Sequence, residues 1–176
     1  GELDLCYMSR PSRYPAHARP TYVYAAATIS QSACQPKPLH VILCTTKYVD
    51  RSKNFVGRFP TPEEERMQAY YAIGAGAKGL SHWWFSDDPG CIGCGVEDPA
   101  AKALWNEIGR VGAEVRTAGE IITMSCPVDL PVTTSKNIWA RTLVSGLDTA
   151  AVIIVSNNVI CDRVGTVVQP LTNAKA

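Results

Sequence analysis

Surplus charge is what this chain has least of. Its 17 Lys and Arg are set against 16 Asp and Glu, a net charge of +1, so no long-range attraction to a polyanion or polycation is implied. One loose basic cluster exists, Lys47, Arg51, Lys53 and Arg58, but it lacks the density and interleaved aromatics of a nucleic-acid face and reads as a solvated loop. No apolar run approaches the roughly 20 residues of a membrane span. The first residues lack the basic, apolar, small-residue order of a signal peptide, so an export signal, if there is one, precedes Gly1. Histidine is reduced to His17, His40 and His82. With 46% hydrophobic residues the composition is that of an ordinary globular protein, and 176 residues suffice for one full domain or two incomplete ones.

Cysteine, by contrast, is plentiful. Seven residues cannot all pair within the chain, and Cys6 and Cys44 fall inside apolar runs where a free thiol packs as a small hydrophobe. Cys91-Ile92-Gly93-Cys94 is a C-x-x-C pair in a Gly-rich loop. A zinc site needs two more ligands from a chain with three histidines. A redox pair belongs at a helix N-terminus, where the dipole lowers the thiol pKa, and here the next helix opens some four residues later at Asp98-Pro99. A loop-tightening disulfide or two inert thiols is the preferred reading, and neither a metal nor a cofactor is expected.

The strongest positive signal is a repeated strand-then-helix rhythm. Leu3 to Met8, Leu39 to Cys44 and Leu80 to Phe85 are short apolar runs suited to buried parallel strands, with a repeat of about 35 to 40 residues. Pro20 opens a helix that runs to Cys34. Thr61, with Pro62 in the first turn and Glu64 three residues on, spells a capping box, and Gly74, Gly76 and Gly79 end that helix. Asp98-Pro99 opens a third, whose Leu104, Ile108, Val111 and Val115 form one apolar stripe with Trp105 beside it, and Gly119 stops it. Parallel, right-handed β/α winding follows. Beyond Gly119 the pattern turns to β only: Ile121 to Met124, Val128 to Thr133, Ile138 to Val144, Ala150 to Val155 and Val164 to Val168, with Ser145-Gly146-Leu147-Asp148 and Ser156-Asn157-Asn158 as turns. This predicts a second, antiparallel sheet packed separately from the first.

The sequence of these features resembles the C-terminal part of bacterial glycoside-hydrolase-like proteins, in which a (β/α)8 barrel of the β-galactosidase and cellulase kind is followed by a β-sandwich. The resemblance rests on the Thr61-opened helix, the Gly76-Ala77-Lys78-Gly79 turn, the aromatic strand ending in Asp, Ala103 to Val111 and the Arg141 to Ala150 hairpin. It implies an α/β plus all-β fold: residues 1–122 as the last three strand–helix units of a TIM-type barrel, with Leu3, Leu39 and Leu80 opening strands six to eight, and residues 123–176 as the start of a sandwich. Three units cannot close a barrel of about eight, so the missing N-terminal part of the barrel, or another protein chain, is the expected partner of the open edge.

Active sites of such barrels lie at the C-terminal strand ends, here Tyr7 to Arg10, Thr45 to Tyr48 and His82 to Asp88. Trp83 and Trp84 offer faces for sugar stacking, Asp87 and Asp88 could accept from hydroxyls, and Tyr7 or His82 could line the same depression. Adjacent strand residues face opposite ways, so at least one tryptophan is structural, and Asp87-Asp88-Pro89-Gly90 is also a good turn. Glycoside hydrolysis normally needs two carboxyl groups. The resembled families carry a nucleophilic Glu at the end of strand seven, where this chain has Cys44-Thr45-Thr46-Lys47, and the acid/base Glu follows strand four, outside this chain. Glu63, Glu64 and Glu65 fall in a first helical turn, where the dipole accounts for them. No catalytic pair is assigned. The resulting expectation is an extracellular or periplasmic carbohydrate-active protein, a glycoside hydrolase acting on a polysaccharide and present as a C-terminal fragment, with two alternatives: a glycan-binding or cell-envelope scaffold protein that has lost its catalytic pair, and a small α/β protein with a redox or metal role at Cys91 and Cys94.

Overall fold

The computed structural model describes residues 2–5, 21–47, 49–50, 55–56, 58–83, 85–86 and 98–156. Strands β1 (Glu2–Leu5), β2 (His40–Cys44) and β5 (Gly79–Trp83) form a parallel sheet in that order, with Leu5 opposite Leu43 and Cys44 opposite Trp83. This is the expected pairing. Helix α1 (Thr21–Cys34) connects the first two strands and α2 (Pro62–Gly74) the second pair. A two-residue hairpin, β3 (Val49–Asp50) with β4 (Phe55–Val56), stands in what was expected to be a solvated loop.

Local chemistry sets the helix starts. The Thr61 hydroxyl accepts from Glu64 N at 3.2 Å while the Glu64 carboxylate accepts from Thr61 N at 2.8 Å, which satisfies two otherwise unpaired donors. Arg58 grips the same carboxylate through two 2.7 Å bonds, so the buried Glu64 is neutralised where it caps. Asp98 caps α3 (Pro99–Thr117) by accepting from Ala100 and Ala101. Of the stripe on this helix, Leu104 and Val111 are buried and Ile108 and Val115 pack half-buried beside them, whereas Trp105 stays 52% exposed.

Two strand expectations fail for identifiable reasons. Ile121 to Met124 lie in a short helix, α4 (Gly119–Met124), because helical phasing sends Ile122 inward and leaves Met124 exposed, and the Lys78 ammonium binds the carbonyls of Ile122 and Ser125 at its end. A β-branched run decided by composition alone was misleading there. Val128 to Thr133 is not a strand either: β6 is Ser125–Val128, and the chain then leaves the ladder before Pro131, which has no N–H to donate. Strands β7 (Ile138–Ser145) and β8 (Thr149–Ser156) fall where expected, joined by a turn in which Gly146 takes φ +66°. Val164 to Val168, Asn157 and Asn158 lie outside the described residues.

The antiparallel sheet β6–β7–β8 does not pack separately. Leu143, Ile153 and Val155 join Val23, Ala27, Leu43, Met67, Tyr71 and Ile73 in one core, so α2 is sandwiched between the parallel sheet and the antiparallel one. Trp139 is the wedge. Its ring meets Tyr24 and Tyr71 edge-on, at centroid separations of 4.8 and 4.9 Å, and a Cβ at Gly74 would stand 2.4 Å from its tip.

Gly74→Ala is therefore expected to destabilise the chain by roughly 1–3 kcal/mol through overpacking, although alanine is the better helix former by about 1 kcal/mol. Urea denaturation should show this, together with relief of the penalty in a Trp139→Leu background. A more stable Gly74→Ala in the parent background would contradict the wedge.

Candidate functional site at the strand ends

In a β/α unit the helix N-terminus lies beside the C-terminal ends of the strands, and here the first two turns of α2 reach the ends of β2 and β5. Cys44 is the last residue of β2 and fully buried. Gln68, also fully buried, takes both of its backbone groups: Oε1 accepts from Cys44 N and Nε2 donates to Cys44 O, each at 3.1 Å. A side-chain amide thus does at Cys44 what a neighbouring strand does along a ladder. Gln68 Nε2 also donates to Glu65 Oε2 at 3.3 Å, and Glu65 Oε1 lies 3.0 Å from His82 Nε2. His82 adjoins Trp83, whose carbonyl receives both the Thr45 N–H, at 3.2 Å, and the Thr45 hydroxyl. The bonds close a ring: Cys44, Gln68, Glu65, His82, Trp83, Thr45.

The carboxyl in that ring is in an unusual environment. Glu65 has no exposed surface, and burial pushes its pKa above the ordinary carboxylate value, opposed by the His82 hydrogen bond and charge and reinforced by Glu107 on α3. When Glu65 is ionised, His82 must present an N–H at Nε2; when it is protonated, Oε1–H can donate to a bare Nε2. The pair can hold one proton in either place.

Of the six residues singled out from sequence, His82 and Trp83 are among the described residues. His82 faces α2 through Glu65, and strand alternation sends Trp83 to the opposite face, which it shares with Cys44 and Ser81. Trp83 is half-buried, as an aromatic at the rim of a sheet should be. Tyr7, Trp84, Asp87 and Asp88 lie outside the described residues, as do Cys6, Cys91 and Cys94. Sequence reasoning missed Glu65 and Gln68. The signal was there: they lie three residues apart, on the helical face that continues to Ala72 and the core, and polar side chains on an apolar stripe require partners.

A larger cleft of about 790 Å³ lies between α2, α3 and β8, with Arg66, Tyr70, Glu107, Arg110 and Ile154 among its walls. Its charges answer one another. Arg66 binds Glu107 and, through two nitrogens at 2.6 and 2.9 Å, Glu114, which Tyr70 also reaches at 2.6 Å. Arg66 and then Tyr70 hold the Glu114 carboxyl at about 2, while burial and the same carboxylate push Tyr70 up to about 12. This network fastens α2 to α3 and engages Arg66, Tyr70, Glu107 and Glu114 with one another. Among the described residues no three His, Cys, Asp or Glu converge as a metal site, and no helix is long and apolar enough to cross a membrane. No protein-family model, curated protein or solved structure matches this chain. The chain is a mixed α/β protein with small sheets, none of them closed.

A raised pKa in the folded state means that the contribution of Glu65 to stability is fully present below the unfolded value of 4.5 and is lost as pH rises through the folded one. Relative to Glu65→Gln, the parent should therefore lose stability as pH climbs above 4.5, with a plateau beyond the folded pKa. Contributions of Glu114 cancel in the comparison. Chemical denaturation of both proteins across pH measures this, and a stability difference that is flat, or that favours the parent increasingly with pH, would refute it.

Proposed function

We propose that this chain is the C-terminal part of a carbohydrate-active protein, built as the last strand–helix units of a β/α barrel followed by a β-sandwich, and that it binds a glycan at the C-terminal ends of its parallel strands. The carrying observation is the rim formed by β2 and β5, where strand alternation puts Trp83 on the face opposite to His82 and α2, in register with Cys44, and the Thr45 hydroxyl binds its carbonyl. Indole faces at such a rim stack against sugar C–H groups, and ligands of parallel β/α folds sit at the strand ends. Three parallel strands in chain order, each followed by a helix, support the barrel part. The antiparallel sheet supports the sandwich part: Leu143, Ile153 and Val155 bury one face, while Val152 and Ile154 leave the other apolar and exposed, as suits a sheet covered on both sides.

Binding is favoured over hydrolysis. At the end of β2, where the resembled families place a nucleophilic carboxylate, stand the Cys44 thiol and a Thr45 hydroxyl already committed to the Trp83 carbonyl. The nearest described carboxyl, Glu65, is buried on the helix side and engaged by His82 and Gln68. Among the described residues the strand ends offer no pair of carboxyl groups of the kind that protonates and displaces a glycosidic oxygen.

Calorimetric titration with soluble oligosaccharides of several linkages tests this, paired with an assay for reducing-end release. The parent should bind at least one class without cleaving it. Trp83→Ala should weaken binding several-fold, about 1 kcal/mol or more, and Trp83→Phe should retain most of it. No binding by the parent, or equal affinity in Trp83→Ala, would remove the reading, and cleavage by the chain alone would move it to an enzyme.

A further inference from the structure

The hydrogen-bonded ring ties the helix side of the parallel sheet to the backbone at the ends of β2 and β5. On the helix side it contains a fully buried carboxyl, Glu65, and at the strand ends it reaches the backbone of Trp83. Each link is short: 3.0 Å from His82 to Glu65, 3.3 Å from Glu65 to Gln68, 3.1 Å twice from Gln68 to Cys44, and 3.2 Å from Thr45 to Trp83. A structural clamp needs only the Gln68 amide. The addition of a titratable pair, one member sealed from water and the other 29% exposed, gives the ring a state that depends on a proton.

We infer that Glu65 and Gln68 are positioning residues for the Trp83 rim, and that the proton held between Glu65 and His82 sets the geometry of the strand end, making the rim pH-responsive. The inference rests on the glycan-binding reading for its purpose but not for its mechanism. When Glu65 is ionised, its oxygens accept from His82 and from Gln68, and both bonds are charge-assisted and pull the amide toward α2. When Glu65 takes up a proton from solvent, its Oε1–H donates to a bare His82 Nε2, the imidazole N–H then resides on Nδ1 by exchange with solvent, and the bond to Gln68 weakens. Cys44 and Trp83 follow, since each is bonded or adjacent to a member of the ring.

The charged and titratable groups around Glu65 leave this pair as the responsive element. From α3, Glu107 faces it but is held by Arg66 and Arg110. On α2, Glu64 is held by Arg58 and Arg66 turns to α3. Among the described residues β5 presents His82 to it, while the Cys44 side chain of β2 lies on the opposite face with Trp83.

The test needs no sugar. The indole N–H resonance of Trp83 in the full chain, assigned by its loss in Trp83→Phe, is followed by NMR from pH 4 to 8. In the parent it should move through a step whose midpoint lies above the ordinary Glu value of 4.5. Glu65→Gln should abolish that titration, and His82→Gln, which removes the partner that lowers the Glu65 pKa, should shift the midpoint upward. If Glu65→Gln does not fold, the His82→Gln shift alone decides. A resonance that does not titrate in the parent, that titrates equally in Glu65→Gln, or that keeps its midpoint in His82→Gln overturns the inference. With glycan present, affinity in the parent should follow the same midpoint and be flat with pH in Glu65→Gln. Loss of glycan binding with the NMR titration intact would defeat the functional reading and spare the coupling, whereas binding without titration would do the reverse.

Discussion

Everything at the strand ends depends on one buried amide. A strand that stops inside a protein leaves an N–H and a C=O that cost about 1–3 kcal/mol each if unpaired, and at Cys44 both are met by Gln68 from the neighbouring helix. Because the amide is planar and offers a donor and an acceptor side by side, it matches the paired groups of a peptide edge, which neither a hydroxyl nor a carboxylate can do. Its second N–H must then find an acceptor in a region closed to water. Glu65 supplies it, His82 answers Glu65, and the ring returns to β5 at Trp83.

Helix α2 is the element through which this constraint reaches the rest of the molecule. It is buried on nearly every side, with Met67, Ala69, Tyr71, Ala72 and Ile73 in contact with core, Glu65 and Gln68 facing the strand ends and Arg66 and Tyr70 facing α3. A helix so enclosed has no single apolar stripe, and the polar side chains it buries are each matched by a specific partner. The antiparallel sheet leans on its C-terminal end through Trp139 and Gly74. The two ends of α2 thus perform different tasks, with the polar first turns setting the strand ends and the small last turn receiving the second sheet.

The parts of the fold that were legible in the sequence are those encoded locally. Thr61, Pro62 and Glu64 define a helix start by their own side chains, Asp98-Pro99 another, and Gly146 a turn, and all three are found where the residues put them. The parallel order of β1, β2 and β5 followed from periodicity and chain connectivity. What escaped was tertiary in origin. Ile121-Ile122-Thr123 is strand-like in composition, but Lys78, over forty residues away, binds the carbonyl groups at the end of the helix they form. Glu65 looked like one of three dipole-favoured acids, and only its helical phase, shared with Gln68 and Ala72, sets it apart from Glu63. Its partner, His82, is seventeen residues on, and only the register of β5 turns that histidine toward it. Separate packing of the second sheet failed because Trp139 and Gly74, unremarkable in their own segments, fit each other.

The most direct measurement is amide hydrogen exchange at Cys44 and Thr45 in the parent and in Gln68→Leu, with Leu143 in the antiparallel sheet as the internal reference. If the amide of Gln68 holds the strand end, Cys44 in the parent exchanges as slowly as Leu143, and in Gln68→Leu its protection falls by at least about tenfold more than that of Leu143, the equivalent of ~1.4 kcal/mol of local opening. Thr45 should follow in part, since its own bond to Trp83 remains. Equal protection of Cys44 relative to Leu143 in both proteins would mean that the strand end is held by something other than Gln68, and the account of the rim built upon it would be wrong.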